Sequence, residues 1–207
     1  DEASQIATEV LGAEPGETVI DVCACPGGKS FGAAIRMENR GRVLSFDLHA
    51  SKLSLIESGA ARLGLTCVTA EEQDATAPAP ALSGLGDRVI CDVPCSGLGV
   101  LSKKPDLRYK DLRAADELPA LQSAILENAA GCVRPGGVLL YSTCTVNPGE
   151  NEAVTDAFRA AHEDFTPEDF TVGALASEGG RLTLYPHRHG TDGFYLAKFR
   201  KSGKEKA

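Results

Sequence analysis

The chain has 207 residues, with 21 basic against 29 acidic side chains and a formal net charge of −8. At 43% hydrophobic and 24% charged it has the composition of a folded domain, which excludes a disordered or collagen-like chain. No apolar run reaches the ~18 residues of a membrane span, and the opening residues do not read as a charged-then-apolar leader.

Ala3, Ile6, Ala7, Val10 and Leu11 fall at helical spacing, predicting a lead-in helix within residues 1–17. Glu14-Pro15-Gly16-Glu17 turns into a short buried strand at 18–22, and the segment Cys23 to Gly28 leads to a helix over about 29–38. A second strand at 42–47, a helix over 50–63 and a third strand near 65–69 follow. The fourth strand is expected at 88–93, and residues 94–117 form a long, basic, irregular connection. A helix at 118–133 is ended by Pro135-Gly136-Gly137, with the fifth strand at 138–143 and a helix at 150–162. Segments 181–185 and 193–199 read as a closing antiparallel pair, and the tail from 202 as a frayed end. This alternation predicts one α/β domain over 1–201, with a mostly parallel seven-stranded Rossmann-like sheet, an antiparallel closing strand and helices on both faces. Ligands belong beyond the carboxyl ends of its strands.

The first of those ends carries Asp21-Val22-Cys23-Ala24-Cys25-Pro26-Gly27-Gly28-Lys29-Ser30. Neither G-x-G-x-x-G nor G-x-x-x-x-G-K-[ST] fits it, which disfavours a dinucleotide or phosphate loop. Its glycines let the backbone approach a ligand, and Pro26 stiffens the turn for a compact ligand edge. Asp47 ends the second strand 20 residues past Gly27 (47 − 27), where an acidic side chain accepts hydrogen bonds from a ribose. Asp74 follows the third strand and suits an adenine edge or a cofactor amino group. Singly, each could be a plain turn or a helix cap; together, at successive strand ends, they point to a nucleoside cofactor.

Two further loops carry thiols at strand ends, Asp92-Val93-Pro94-Cys95-Ser96-Gly97 and Ser142-Thr143-Cys144-Thr145-Val146. A free thiol has a pKa of ~8.5 and is mostly protonated at neutral pH unless its surroundings favour the anion. A thiolate serves where an electron-poor ring must be activated by addition, as at carbon 6 of a pyrimidine. The seven cysteines are odd in number and scattered, which fits a reducing, cytoplasmic setting and not a disulfide framework. Cys67 and Cys132 fall in core-facing stretches, and Cys23-Ala24-Cys25 lacks the further ligands a zinc site needs, so no metal is expected. His49, His162, His187 and His189 show no partner pattern.

The three cysteine-bearing segments, the extension Asn147-Pro148-Gly149-Glu150-Asn151-Glu152 and the opening Asp1-Glu2-Ala3-Ser4-Gln5 resemble the signatures of one family, along residues 1 to about 200. The chain is identified as similar to the RNA cytosine-5 methyltransferases of the Nol/Nop/Sun type. The resemblance implies S-adenosylmethionine bound by Cys23, Ala24, Cys25, Pro26, Gly27, Gly28 and Lys29 together with Asp47, Asp74 and Asp92. It implies Cys144 as the nucleophile on carbon 6, Asp92 on the ring nitrogen, Lys29 contacting the base or positioning Asp92, and Cys95 assisting release. Cys25 and Cys91 depart from the family's commoner small or aliphatic residues. A DNA-type enzyme with Cys95 attacking, a non-catalytic RNA scaffold that binds the cofactor and an NAD-dependent reductase are the competing readings.

An RNA substrate sits awkwardly with a net negative chain, because phosphate binding is driven by Lys and Arg. The best local patch is residues 103–113, five basic against two acidic, with Lys103, Lys104, Arg108 and Lys110 as candidate RNA contacts. The tail from Lys198 to Lys206, five basic against one acidic, reads as a solvated face. Family members carry RNA-binding segments before the catalytic domain, and this chain starts without them, so it reads as a monomeric catalytic fragment. Filter binding of ribosomal RNA to the 207 residues should therefore be weak with a shallow salt slope; tight, steeply salt-dependent binding would contradict that expectation.

Overall fold

The computed structural model describes residues 2–109 and 116–203. The expected RNA contact Lys110 lies outside them, as do Asp1, Arg113 and residues 204–207. The chain runs α1 (Glu2–Leu11), β1 (Thr18–Asp21), α2 (Gly28–Arg36), β2 (Arg42–Asp47), α3 (Ala50–Leu63), β3 (Val68–Glu72), β4 (Gly86–Asp92), α4 (Leu118–Cys132), β5 (Val133–Thr143) and α5 (Glu152–Ala161). It closes with β6 (Phe165–Pro167), β7 (Thr171–Val172), β8 (Leu175–Ala176), β9 (Arg181–Leu184), α6 (Pro186–His189) and β10 (Phe194–Lys201).

The main sheet has the order β3-β2-β1-β4-β5-β10-β6, with β9 paired to β10. The first five strands are mutually parallel, and β10 runs antiparallel to β5, β6 and β9. Eight strands therefore replace the seven expected. The addition is β6, whose three residues bury only Phe165 fully, too little for a periodic signal. Successive strand residues pack on opposite faces. Ile20, Val89, Leu139 and Ala197 meet α4 and α5, while Val19, Ile90, Leu140 and Leu196 meet α1, α2 and α3. Strands covered on both sides read as continuous apolar runs, which is why β1, β4 and β5 stand out.

Two boundaries differ from expectation. Pro135-Gly136-Gly137 does not separate helix from strand; it lies inside β5, where the register passes from Gly86↔Val133 to Arg88↔Val138. Such a bulge tolerates a proline without an N–H and a glycine at φ 78°. β3 begins three residues later than its apolar run because Leu65 closes the end of α3, its N–H donating to the Ala60 carbonyl. The strand itself is an edge with a largely exposed, polar face.

The carboxyl ends of β4 and β5 are locked to the start of β10 through Gly99. Its N–H donates to the Cys144 carbonyl at 3.0 Å, and its carbonyl accepts from Gly193 N–H at 2.8 Å. A Cβ at Gly99 would lie 1.9 Å from the Gly193 oxygen and 2.8 Å from the Cys144 oxygen, both backbone atoms. Gly99→Ala should lower stability by about 1–3 kcal/mol in thermal or denaturant unfolding. Gly131→Ala, whose Cβ meets nothing within 4 Å in α4, should match or exceed the native chain; equal behaviour of the two variants would refute the clamp.

Candidate active site

β4 and β5 pair with Asp92 opposite Ser142, so the loops that follow emerge side by side. Cys95, three residues past Asp92, meets Cys144, two past Ser142, with 3.2 Å between the sulfurs. Asp92 accepts from the Lys29 ammonium at 2.6 Å on Oδ2 and from the Ser142 hydroxyl at 2.6 Å on Oδ1. Burial alone would depress the Lys29 pKa, but Asp92 outweighs it and the net shift is upward. The Lys29 ammonium also lies 5.1 Å from the centre of the Phe194 ring, close enough for a cation–π contact.

Lys29, Asp92, Cys144 and Phe194 open on a cleft of about 310 Å³ that Asp21 and Cys23 also line; Cys95 and Ser142 stand behind them. A second lobe of about 160 Å³ is lined by Asp47, Asp74 and Gln73, with Cys23 on the wall of both. The β1–α2 loop thus divides the two lobes. Gly27 starts α2 at φ 106°, and a Cβ there would strike the Phe31 ring at 2.4 Å, so this turn requires glycine. Asp47 accepts from Cys25 N–H at 3.2 Å and from His49 N–H at 3.1 Å. Asp74 accepts from the Thr76 N–H and hydroxyl, which hold its carboxyl below the ordinary range. Both aspartates therefore shape a turn and face the same lobe.

The seven thiols are not equivalent. Desolvation pushes up Cys23, Cys25, Cys67, Cys91 and Cys132. The shared hydrogen bond, reinforced by burial, raises Cys95. Cys144 alone is shifted down, chiefly by its hydrogen bond with Cys95, with Lys29 assisting against the opposing Asp92 charge. Cys132 is buried as expected, whereas Cys67 is only half-buried.

Lys103 and Lys104 line the first lobe, Lys103 bonding Asp192 at 2.5 Å, and Arg108 is exposed nearby in sequence. Of the C-terminal basic residues expected on a solvated face, Lys204 and Lys206 lie outside the described residues, and the other three have partners. Lys198 pairs with Glu168 at 2.8 Å, Arg200 bonds the same carboxylate, and Lys201 donates to the Val133 carbonyl at 2.8 Å. His162 likewise has partners, Glu127 at 2.7 Å and the stacked Phe158 ring. Asp21, Ser142 and Phe194 belong to the site without being candidates in the sequence. Ser142 shows its part only once it is paired opposite Asp92, and Asp21 and Phe194 lie in strand segments that do not single them out.

Residues 8–200 match the family described as 16S rRNA methyltransferase RsmB/F. The chain belongs to that family. It is 42% identical over 211 residues to the probable ribosomal RNA small subunit methyltransferase B of Bacillus subtilis (strain 168), covering 98% of this chain and 47% of that protein. It is 35% identical over 193 residues to the ribosomal RNA small subunit methyltransferase F of Escherichia coli O7:K1, covering 90% and 40%. NSun6 from Pyrococcus horikoshii, crystallised with SFG, superposes with a TM-score of 0.83 at 31% identity over 98% of this chain and 52% of that one. The chain thus spans about half the length of the curated relatives it matches.

Asp21 ends β1 in the cleft wall at 1% exposure. Its Oδ2 accepts from Ser30 and its Oδ1 has no partner. Burial pushes its pKa up to about 7 against the relief from Ser30. A carboxyl that binds its proton more tightly folded than unfolded loses native stability as pH rises from about 4 to its folded value. The melting temperature of ligand-free Asp21→Asn should therefore climb relative to the native chain between pH 4 and 7 and level off above. A difference independent of pH would show that Asp21 keeps an ordinary pKa.

Proposed function

We propose that residues 1–201 form the catalytic domain of an S-adenosylmethionine-dependent enzyme that methylates carbon 5 of a cytosine in small-subunit ribosomal RNA, closer to the B than the F type. The reading rests on the family membership and, above all, on two sulfurs 3.2 Å apart of which Cys144, lining the cleft, is the thiol shifted down. The stronger likeness to the B-type protein supports the subtype.

The residues present fit the cofactor. The unpartnered Asp21 oxygen in the first lobe offers an acceptor to an ammonium group, and Asp47 and Asp74 in the second offer acceptors to ribose hydroxyls and an adenine amino group. Gly27, Gly28 and their neighbours from Cys23 to Lys29 form the backbone between the lobes. When bound, S-adenosylmethionine supplies an electrophilic methyl group.

Cys144 as thiolate adds to carbon 6 of the cytosine, forming the C–S bond and making carbon 5 nucleophilic. Asp92, held by Lys29 and Ser142, passes a proton to the ring nitrogen, which neutralises the negative charge that the addition places there. When a base takes the carbon 5 proton, its electron pair restores the carbon 5–carbon 6 double bond and expels the Cys144 sulfur, and the ring nitrogen returns its proton to Asp92. The Cys95 S–H supports that departing thiolate across the same short contact. Lys103 and Lys104 border the mouth and, with the exposed Arg108, meet the phosphates flanking the base. The domain acts as a monomer in the cytoplasm, where its free cysteines suit a reducing setting; among the described residues no helix is long and apolar enough to cross a membrane.

Incubation with RNA and cofactor followed by denaturing electrophoresis tests the roles of the thiols. Cys95→Ala should accumulate a stable protein–RNA adduct, whereas Cys144→Ala should give neither adduct nor 5-methylcytosine. The reverse pattern would make Cys95 the nucleophile, and no adduct from any form would indicate a non-catalytic scaffold.

A further inference from the structure

Behind the two thiols lies a fully buried carboxylate whose side-chain partners are neutral amides. Glu150 is 0% exposed. Its Oε2 accepts from Ser96 N–H at 2.8 Å and from the Gln122 side-chain amide at 3.0 Å, and its Oε1 from the Asn147 side-chain amide at 3.0 Å. Gln122 spends its other N–H on the Pro94 carbonyl at 2.9 Å. Ser96 in turn exchanges a hydroxyl bond with Thr145 at 2.8 Å. One carboxylate therefore grips the residues on both sides of Cys95 and ties them to the loop that carries Cys144. The Tyr141 hydroxyl donates to the Glu150 carbonyl at 2.6 Å, fixing the backbone to β5.

Burying an anion without a cation is costly unless its oxygens are filled by good donors, and a carboxylate is the one side chain of this size that only accepts. An amide in its place must turn an N–H toward Ser96 and Gln122 or toward Asn147. Asn147 cannot simply reverse, because its Oδ1 already accepts from Gly149 N–H at 3.1 Å. Gln122 adds a second sign of constraint: its buried Oε1 has no partner, a deficit accepted so that its N–H groups reach Glu150 and Pro94.

Resting on the two-thiol reading above, we propose that Glu150 is a positioning residue, its carboxylate holding the loops of Cys95 and Cys144 in the register that brings their sulfurs to 3.2 Å. It does not line either lobe of the cleft, so its effect reaches chemistry only through the thiols. A displacement of about 1 Å in a reacting group can cost on the order of 100-fold in rate.

The test uses the 207-residue chain under reducing conditions, with iodoacetamide alkylation of Cys144 followed across pH by peptide mass spectrometry. Besides Cys95, the charged groups facing that sulfur are Asp92 and Lys29, and both stay in place in every variant. Glu150→Gln should move the alkylation midpoint upward and lower kcat for methylation by roughly 10- to 100-fold, with S-adenosylhomocysteine affinity within about twofold of native. In a Cys95→Ala background the same substitution should shift the midpoint no further, because the bond it acts through is gone. Should Glu150→Gln prove unstable, Gln122→Met, which also removes the unpaired oxygen, should produce a weaker shift in the same direction. An unchanged profile, an equal shift in both backgrounds or a parallel loss of cofactor affinity would overturn the inference while leaving the two-thiol reading intact. Methylation by Cys144→Ala would overturn both.

Discussion

The register between β4 and β5 is the constraint on which the site depends. With Asp92 opposite Ser142, two loops distant in sequence leave the sheet from adjacent points at one height. A single-residue slip would turn every side chain of one strand to the opposite face and carry Asp92 away from both Lys29 and Ser142. The register is enforced by burial, since Val89, Ile90, Leu139 and Leu140 are each at most 1% exposed and divide between two separate apolar layers. Core packing on both faces thus fixes the distance between two sulfurs at its margin, of which Cys144 packs against one layer.

The same rim concentrates unfavourable burial. Lys29 and Asp92 lie largely out of water, and such a pair is tolerated when the remaining lone pairs are filled; here Ser142 fills one. Asp21 keeps an unfilled oxygen beside it, and a thiol next to Asp92 would ordinarily be driven up in pKa. Cys144 is shifted down against that pull, chiefly by its hydrogen bond with Cys95, while Lys29 balances the carboxylate.

Much of this was legible in the chain. β2 and α3 begin and end where their periodicity places them, and Asp92, Cys95 and Cys144 sit at strand ends as their segments suggested. The misses share a cause: they depend on partners far along the sequence. Pro135-Gly136-Gly137 reads as a stop until Arg88 is seen opposite Val138. Lys198, Arg200 and Lys201 read as solvated until Glu168 and the Val133 carbonyl are placed beside them. Glu150 reads as part of a signature, and only the approach of Ser96 and Gln122 reveals what its carboxylate does.

The bonds of Gly99 to Cys144 and Gly193 also carry a consequence for biosynthesis. A chain emerging from the ribosome in N-to-C order holds both thiols well before β10 exists, and domains fold as units once their elements are available. Until residue 193 is free to seat, the cysteine loops lack their outer brace. Seating of the cysteine loops is thereby deferred to β10, so a nascent polypeptide that stops short of it carries both sulfurs without the brace that fixes their spacing.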